Sequence, residues 1–579
     1  MHRREWHMTE SEYWKRGISR RGVLRGAGVL GAGLSAAALV GCNSGSKDPA
    51  PAPAGGTGGA ASNAPTKPTG KIRQGTGKMS EPFDPATMLS AGPTYWSMWG
   101  NTAIAANKTN FKLEPSLVEA WEVKSPTEIA LKVRQGVKFH AKAPTNGRVM
   151  DANDIAYSLN RHAALLDKEK AAIYPRRTNF IYMTEAVAVD NNTVVLKMSK
   201  PNSAILNGIA DMRVSIMPIE SKDVGFTDGN KVTGTGPFMI KEMDTQGNGT
   251  LVANPDYWEK GLPKVAEIEK RSFDTYQANT AAFIGDAVDQ LIMTNQSADI
   301  IATVKKSRPD AQELRWDYGY LHYKRFGMTR KPFDDVRVRK ALTLASDLKA
   351  LGEGYYGPGM WEYSGPLVST WPEAITAAEI QKRPGWNPAT READIAEAKK
   401  LLEAAGIKDG EMSLTMLVFN TPVHPAGCER LRAQWNRVWP KMKITLEGPL
   451  ESGPMNVRLS AGTFDVVSYG NLPTTDGAVE FQNFYSSAGS RNYGKYSSKD
   501  VDAICEKAIG EFNFEARKKL LLDAQELVIK DSPIIPEYYA KMAGFISPKW
   551  QGDLKSMVGP AGQSGSDLAE MSKWITVKA

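Results

Sequence analysis

The sequence predicts an α/β protein built from more than one lobe. With 579 residues, the chain exceeds the length at which a single hydrophobic core stops growing. Its hydrophobic fraction of 41% and charged fraction of 23% are those of ordinary soluble globular proteins. From Lys264 onward, segments with strand and helix patterns alternate to the C-terminus, and this order is typical of α/β layers.

The charge balance argues against a nucleic acid or an acidic polymer as partner. The formal net charge is +8, but residues 1–41 contain seven Lys or Arg and three Asp or Glu, which leaves +4 for the rest of the chain. No run that mixes basic and aromatic residues follows Cys42. Nucleic-acid-binding proteins concentrate positive charge on one face or segment, so we predict no such partner.

Residues 19–42 are predicted to direct export and lipidation. The stretch opens with Arg20 and Arg21, continues as an uncharged apolar run and ends in the sequence LVGC at Cys42. The run of about 16 residues is shorter than the ~20 that span a membrane, and the order basic, apolar, small is that of a signal peptide. The arginine pair resembles a twin-arginine export signal, with general secretion as the alternative. The last four residues resemble a bacterial lipobox.

A lipobox cysteine carries the lipid, so we expect the mature protein to be anchored through Cys42. Two or more acyl chains hold a protein stably to a bilayer, which predicts a location on the outer face of the cytoplasmic membrane or in the periplasm. Residues 43–70 consist almost wholly of Asn, Ser, Gly, Pro, Ala and Thr. This composition predicts a flexible tether that leads to a folded body beginning near Lys71.

Local patterns predict the first elements of the body. Residues 71–77 read as a strand that ends in glycine turns, and the alternation in residues 129–139 predicts another strand. Asp151 and Asp154 predict the start of a helix, since an acidic cap and an acid in the first turn suit the helix dipole. Asp190, Asn191 and Asn192 separate two strand patterns within residues 187–198, and this arrangement indicates a hairpin.

The later half of the chain predicts helices between strands. A helix is expected over residues 276–284, and another enters after residue 331 and runs to residue 346. Residues 390–406 carry an apolar stripe at helical spacing and end in a glycine, which commonly stops helices. Residues 498–510 and 515–530 predict a helix pair, and Pro533 lies just beyond its second member.

Neither the cysteines nor the histidines predict a metal or a cofactor. Once Cys42 is assigned to lipid, Cys428 and Cys505 remain, and they can pair only if the fold brings their Cα atoms within about 7 Å. The sequence leaves that pairing open. It contains no CxxC motif, and the histidines after Cys42 are widely scattered along the chain.

Eight stretches between Lys71 and the C-terminus carry a family resemblance in their order: LEPSLVEAWEV with LKVRQGVKFH, MDANDIAYSLNRH, TGTGPFMIKE, NPDYW, FDDVRVRKALTLASD, AEAKKLLEAAGI, YGKYSSKDVDAICEKA and AQELVIKDSPIIPEYY. The chain resembles the family 5 extracytoplasmic solute-binding proteins of ABC importers, which form the peptide, oligopeptide and nickel-binding class. The resemblance implies a monomeric receptor that delivers a solute to the permease and ATPase subunits of an importer.

The resemblance also implies a periplasmic-binding-protein type II fold. In that fold two lobes, joined by hinge strands, close over the solute, and in this class the first lobe carries an extra subdomain. The expected boundaries are residues 71–95, 213–312 and 546–579 for lobe I, 96–212 for its extra subdomain and 313–545 for lobe II.

Candidate ligand-binding residues fall in three places. In lobe I, aromatic side chains suit stacking on sugars or peptide planes, with packing inside the lobe as the alternative. In lobe II, polar and aromatic residues follow two strands at their carboxyl ends, where open α/β sheets bind ligands. For His424 a surface-loop position is the preferred interpretation. The candidates are Tyr95, Trp96, Trp99, Phe419, Asn420, His424, Tyr469, Asn471 and Asp476.

One departure from the family pattern bears on the ligand. Dipeptide-binding members hold the ligand ammonium with an aspartate three residues after an aromatic. Here the aromatic corresponds to Tyr469, but the third residue on is Leu472, which cannot offset a buried cation. Either Asp476 serves from further along, or the ligand lacks that cation. The resemblance favours a peptide or oligopeptide, with an oligosaccharide or another non-peptide solute as the alternative.

An enzyme, such as a secreted hydrolase, is the rival class of function. The sequence has no GxSxG elbow, no HExxH motif and no SxxK paired with a KTG box, the signatures of common hydrolase sites. A binding protein is therefore the prediction.

Overall fold

A computed structural model describes residues 67–78, 83–87, 99–106, 112–293, 297–471, 476–552 and 572–578. The predicted signal with Arg20, Arg21 and Cys42 lies outside these residues, as do Tyr95 and Trp96. Residues from Pro68 onward form one compact unit. Within the described ranges, no helix combines the length and apolar character needed to cross a membrane.

The strands are, in chain order, β1 (Lys71–Gly77), β2 (Ile104–Ala106), β3 (Leu113–Pro115), β4 (Val118–Ser125), β5 (Glu128–Val133), β6 (Met183–Asp190), β7 (Thr193–Met198), β8 (Phe238–Met243), β9 (Gly249–Ala253), β10 (Glu267–Phe273), β11 (Gln290–Met293), β12 (Gln312–Phe326), β13 (Trp361–Glu362), β14 (Ser413–Phe419), β15 (Lys443–Leu450), β16 (Val466–Asn471), β17 (Ile534–Ile546), β18 (Trp550–Gln551) and β19 (Thr576–Val577).

The α-helices are α1 (Ala152–His162), α2 (Ile205–Ile209), α3 (Ser221–Val224), α4 (Tyr276–Ile284), α5 (Ala298–Ser307), α6 (Val336–Ala345), α7 (Leu348–Tyr356), α8 (Ala377–Ile380), α9 (Arg391–Ala404), α10 (Val423–Val438), α11 (Ser452–Ala461), α12 (Gly477–Tyr485), α13 (Lys499–Gly510) and α14 (Phe514–Asp531).

One large sheet organises the molecule around its two longest strands. Its order is β15-β14-β16-β12-β17-β11-β1-β10-β9-β8, with β13 added on β17. The antiparallel strands β12 and β17 stand in the middle of this order. They separate the group β11-β1-β10-β9-β8 from the group β16-β14-β15, so every hydrogen-bonded path from one group to the other passes through them.

The pairing of β12 with β17 changes along its length. Gln312 to Asp317 pair with Ile546 to Lys541, and the register then shifts before Tyr320 pairs with Ala540. Gly319, at the shift, has a φ of +66°, which is a backbone conformation that favours glycine. Bulges of this kind bend the strand that carries them. This one separates residues 312–317 of β12 from residues 321–326, which also pair with β16.

A second, antiparallel sheet has the order β4-β5-β7-β6. The predicted hairpin is confirmed as β6 and β7, which are joined at residues 191 and 192. Helix α1 begins with a capping box between Asp151 and Asp154 and buries Ile155, Leu159 and His162 on one face. The helix and its cap are thus as predicted, because both depend on neighbouring residues.

Two other expectations need correction or completion. The strand predicted over residues 129–139 ends at Val133, and Gly136 follows with a φ of +78°, so the chain turns there although the residues continue to alternate. Cys428 and Cys505 are both free and buried. Each packs in a hydrophobic core cluster, which is the usual role of such cysteines.

We expect buried histidines to make the fold acid-sensitive. Burial lowers the pKa of His140 and His162 to about 4 and that of His424 to about 3, and it holds the pKa of His322 well below its ordinary range. Because the unfolded chain binds these protons at about pH 6.5, stability is complete above that pH and falls as the pH decreases towards the folded pKa values.

Urea unfolding at pH 7.5 and 5.5 measures this effect. The expected loss is up to about 1.4 kcal/mol per histidine for one pH unit below 6.5. The variant His140→Gln, which removes one of the titrating groups, should show a smaller loss between the two pH values. Equal stability at both pH values would contradict the prediction.

Candidate functional site

The carboxyl ends of β14 and β16 lie side by side. The two strands are parallel, with Val418 opposite Ser468, so Phe419 at the end of β14 lies close to the last residues of β16. On the other edge of β16, the antiparallel strand β12 places Tyr323 opposite Tyr469. The sheet therefore gathers Phe419, Tyr469 and Asn471, which the sequence had placed on successive strand ends.

Five rings meet at this point, with Tyr469 at their centre. Its ring centre lies 5.1 Å from that of Phe419, 6.4 Å from that of His424 and 6.5 Å from those of Tyr323 and Tyr493. The ring of His424 is stacked on Tyr469 with an interplanar angle of 19°. Tyr469 and Phe419 remain partly exposed. We refer to these five residues as the ring cluster.

The two predicted asparagines take different positions. The side-chain amide of Asn471 donates to the Tyr323 hydroxyl at 3.4 Å, which connects it to the ring cluster. Asn420 is exposed, and its amide donates to the carboxylate of Glu451. Asn471 thus contacts the ring cluster through Tyr323, whereas the side chain of Asn420 is exposed and bonds to Glu451.

The expected surface position of His424 is wrong. His424 lies in α10 and is 2% exposed, and its Nδ1 atom hydrogen-bonds with the Ser468 hydroxyl at 3.0 Å. Burial lowers its pKa to about 3, so the imidazole is neutral at physiological pH. The sequence reading missed this because it placed the chain after β14 in a loop, whereas α10 begins at Val423 and turns His424 inward.

Behind the ring cluster lies a buried polar layer that sequence reasoning missed. The Nε2 atom of His322 hydrogen-bonds with the Tyr356 hydroxyl at 2.9 Å. Next to it on the same face of β12, the Lys324 ammonium donates to both carboxylate oxygens of Glu537, each at 2.7 Å. The available signal was the alternation of His322 and Lys324 in a strand pattern that also carries aromatic residues, because such polar residues need partners when they are buried.

Asp476 serves the structure. It is 1% exposed, caps α12 by accepting from two backbone N–H groups, and accepts from Arg517 at 2.8 Å and from Asn207 at 2.6 Å. Arg517 in turn pairs with Glu373. Four donors therefore use its two oxygens, and the suggestion that Asp476 binds a ligand ammonium is withdrawn for this reason.

Trp99 is also placed away from solvent. Its side chain is fully buried, its ring centre lies 6.3 Å from that of Phe83, and both residues belong to one core cluster. The backbone at Trp99 approaches Gly234 so closely that a side chain on that glycine would collide with it. Trp99 therefore packs inside the protein core, which was the alternative to ligand stacking. Tyr95 and Trp96 lie outside the described residues.

Asn207 belongs to a segment that connects the small sheet region with the β16 side of the large sheet. The Ser203 backbone N–H and hydroxyl donate to the Ile509 carbonyl at 2.8 and 3.0 Å, and Lys200 pairs with Glu506 at 2.7 Å. Asp476 directly follows residues 472–475, after β16. The hydrogen bond from Asn207 to Asp476 therefore connects this segment with the chain that follows β16, the strand that carries Tyr469.

No cluster of His, Cys, Asp and Glu suited to a metal ion is present among the residues that the structure describes. What the site offers is flat aromatic surface, one amide and buried histidines held neutral. Such a surface binds planar or apolar groups through stacking and dispersion.

Comparisons with known proteins add a family and several relatives. A family model described as bacterial extracellular solute-binding proteins, family 5, matches residues 112–493, which is more than half of the chain. Heme-binding protein A of Haemophilus influenzae is 27% identical over 79% of this chain and 85% of its own. The periplasmic oligopeptide-binding protein OppA of Salmonella typhimurium is 23% identical over 76% and 81%.

Solved structures agree on the fold. The substrate-binding protein CtaP of Listeria monocytogenes has a TM-score of 0.73 at 19% identity and covers 89% of this chain and all of its own. DppA of Helicobacter pylori, in complex with a peptide, has a TM-score of 0.71 at 19% identity, with coverage of 88% and 98%. These neighbours are two-lobed, so the predicted periplasmic-binding-protein type II fold is confirmed.

Proposed function

Since the chain belongs to the bacterial extracellular solute-binding proteins of family 5, we propose that it is a lipid-anchored receptor that captures a small solute between two lobes and delivers it to an ABC importer. Proteins of this family bind solutes and are not enzymes, and this chain is likewise a binding protein. The anchor, the delivery step and the monomeric state are our proposals.

The observation that best supports solute capture between two lobes is the central strand pair β12 and β17. These strands join the two strand groups, and their register shifts between Asp317 and Tyr320. A two-strand connection with a bulge is suited to hinge closure. We assign lobe I to residues 71–95, 213–312 and 546–579, its extra subdomain to 96–212 and lobe II to 313–545. The ring cluster then lies in lobe II, close to the hinge.

For the solute we propose a peptide or oligopeptide, with an oligosaccharide or another non-peptide solute as the alternative. Relatives named for oligopeptides and for di- and tripeptides support the first assignment, and a relative named for heme supports a wider range. Aromatic side chains stack on peptide planes, sugars and other flat groups alike, so the ring cluster is compatible with both.

Mass spectrometry of the solute that co-purifies with the folded protein tests the proposal. Release of a peptide, and an increase in melting temperature when peptides are added back, is the expected result. If a cello- or xylo-oligosaccharide raised the melting temperature and no peptide did, the peptide assignment would be wrong. Release of a chemically converted product in place of an intact solute would argue against a binding protein.

The variant Tyr469→Ala is expected to weaken binding of the co-purified solute by about tenfold or more. Truncation of an aromatic that acts as a binding hot spot costs about 2 kcal/mol or more, and tenfold corresponds to about 1.4 kcal/mol. Isothermal titration with the purified solute measures the change. The matched control is Tyr276→Ala on α4, an exposed tyrosine of the other strand group. Unchanged affinity in Tyr469→Ala would remove the ring cluster from the site.

A further inference from the structure

A group of acidic side chains lies beside the register shift of β12, on the face of the large sheet that carries Tyr469. Residues directly opposite each other on paired strands point to the same face. One row of such residues crosses four adjacent strands and consists of Asn471, Leu321, Tyr539 and Glu362. Tyr469 lies two positions before this row on β16, and Lys541, which pairs with Asp317, lies two positions after it on β17. Both therefore share the face of the row, and we refer to Asp317, Glu362 and Tyr539 as the acid group.

The carboxylate of Asp317 is weakly compensated. Its Oδ1 atom lies 3.8 Å from the Lys541 ammonium nitrogen, farther than the ~2.9 Å of a charge-assisted hydrogen bond. Among the described residues, no donor forms a hydrogen bond with this carboxylate. Burial raises the pKa of Asp317, while Lys541 lowers it and Glu362 raises it. Because the Asp317 side chain is 31% exposed, its free acceptor positions can be reached from solvent.

The Tyr539 hydroxyl lies close to both acids of the group. Tyr539 is 6% exposed, and within the described ranges its hydroxyl has no hydrogen-bond partner. Burial raises the pKa of this hydroxyl, and the negative charges of Asp317 and Glu362 raise it further, which requires both carboxylates to be near it. A buried hydroxyl without a partner is unfavourable. The acid group therefore has a place for one polar group that the described part of the chain does not supply.

The charges around the acid group leave an excess of one negative charge. The charged groups that act on Asp317 are Lys541 and Glu362, so two carboxylates face one ammonium. Glu362 accepts from one backbone N–H at 3.2 Å and has no basic partner among the residues that the structure describes. Arg315, two positions before Asp317 on β12, is bonded to Glu313 at 2.7 Å. A cation that reaches this place would therefore be attracted.

We propose that the acid group binds a cationic part of the solute, an ammonium or a guanidinium, which lies between the carboxylates of Asp317 and Glu362 and contacts the Tyr539 hydroxyl. This inference rests on the proposed function and narrows its substrate class to positively charged solutes. The N–H groups of such a cation all donate, and the two carboxylates and the hydroxyl oxygen accept. These residues are distinct from Leu472, the position at which the family pattern has an aspartate.

The sheet geometry relates the acid group to the ring cluster. Four neighbouring strands at a spacing of about 4.8 Å place Glu362 about 14 Å from Asn471, which contacts the ring cluster through Tyr323. An extended chain of about four residues has this length. A short peptide is thus long enough to place a flat group near Tyr469 and a cationic group near Asp317.

Titration calorimetry with two matched probes tests the inference on the full chain purified in detergent. N-acetyl-phenylalanyl-alanyl-arginine amide carries one guanidinium and no other charge, and the same peptide with citrulline in place of arginine is neutral and similar in shape. We expect the arginine probe to bind at least about tenfold more tightly, a difference of about 1.4 kcal/mol. Equal binding, or tighter binding of the citrulline probe, would overturn the inference and would still support peptide capture.

Two variants test whether the acid group causes the preference. Asp317→Asn and Glu362→Gln each remove one negative charge at nearly constant size, and each should bring the ratio of the two affinities down towards unity. Asp310→Asn, which alters an exposed acid paired with Arg308, is the matched control and should keep the original ratio. A ratio that stays unchanged in both variants would overturn the inference. Absence of binding by both probes would also overturn it, whereas the co-purified solute tests the proposed function separately.

Discussion

Replacement of Lys324 by methionine is expected to destabilise the fold by about 3–5 kcal/mol. The Lys324 and Glu537 side chains are 1% and 2% exposed, and the ammonium donates to both carboxylate oxygens. Glu537 has no opposite residue on β12, because the register shifts between His322 and Tyr323. Removal of the lysine would leave a buried charge without compensation, and urea unfolding measures the loss.

Two further variants separate the ion pair from simple loss of packing. The double variant Lys324→Met with Glu537→Leu should recover much of the stability, because hydrophobic replacement of a whole buried pair is often neutral or stabilising. The exposed pair Lys519 and Asp523 on α14 provides the control, and Lys519→Met should change stability by no more than about 0.5 kcal/mol. A loss below about 1 kcal/mol in Lys324→Met would contradict the prediction.

The variant Cys42→Ser is expected to release the protein from the membrane almost completely. If Cys42 carries diacylglycerol and a further acyl chain, two or more chains provide the stable attachment, and serine cannot form the thioether that holds them. Fractionation followed by immunoblotting measures the shift from the membrane pellet to the soluble fraction. Replacement of Arg20 and Arg21 by lysine is a separate test of the twin-arginine route and should block export.

A full-length protein that stays in the pellet after Cys42→Ser would contradict lipid attachment at that residue. The control is Cys428→Ser, which alters a buried thiol of the core and should leave the protein in the membrane fraction. Export that continues after the arginine replacement would favour the general secretory route.

Local signals predicted many elements well. Strand β1 and helix α4 have the predicted bounds, and the capping box of α1 agrees with the acids at residues 151 and 154. These features depend on residues within one or two turns of each other, so their physical cause is contained in a short stretch of sequence. The strand predicted over residues 129–139 is wrong in its second half for a related reason. The alternation of residues continues through the turn at Gly136, whereas strand pairing ends at Val133.

The candidate site was only partly predictable. Phe419, Tyr469 and Asn471 lie together as predicted, because the carboxyl ends of parallel strands meet at one edge of a sheet. His424 and Asp476 were misjudged, since their roles depend on partners distant in sequence: Ser468 for the imidazole and Arg517 with Asn207 for the carboxylate. A sequence window contains neither the partner nor the burial that gives such a residue its role.

The sequence by itself determined the family and the lobed α/β class, and it predicts the export and lipidation signals. Composition, motif order and local periodicity can be recognised along the chain without knowledge of the fold. Only the tertiary structure decided which charges are compensated. Lys324 meets Glu537 across 213 positions of chain, whereas Arg325, its neighbour, meets rings and a carbonyl. Pairing across such separations is set by strand order and register, and these are fixed when the whole sheet assembles.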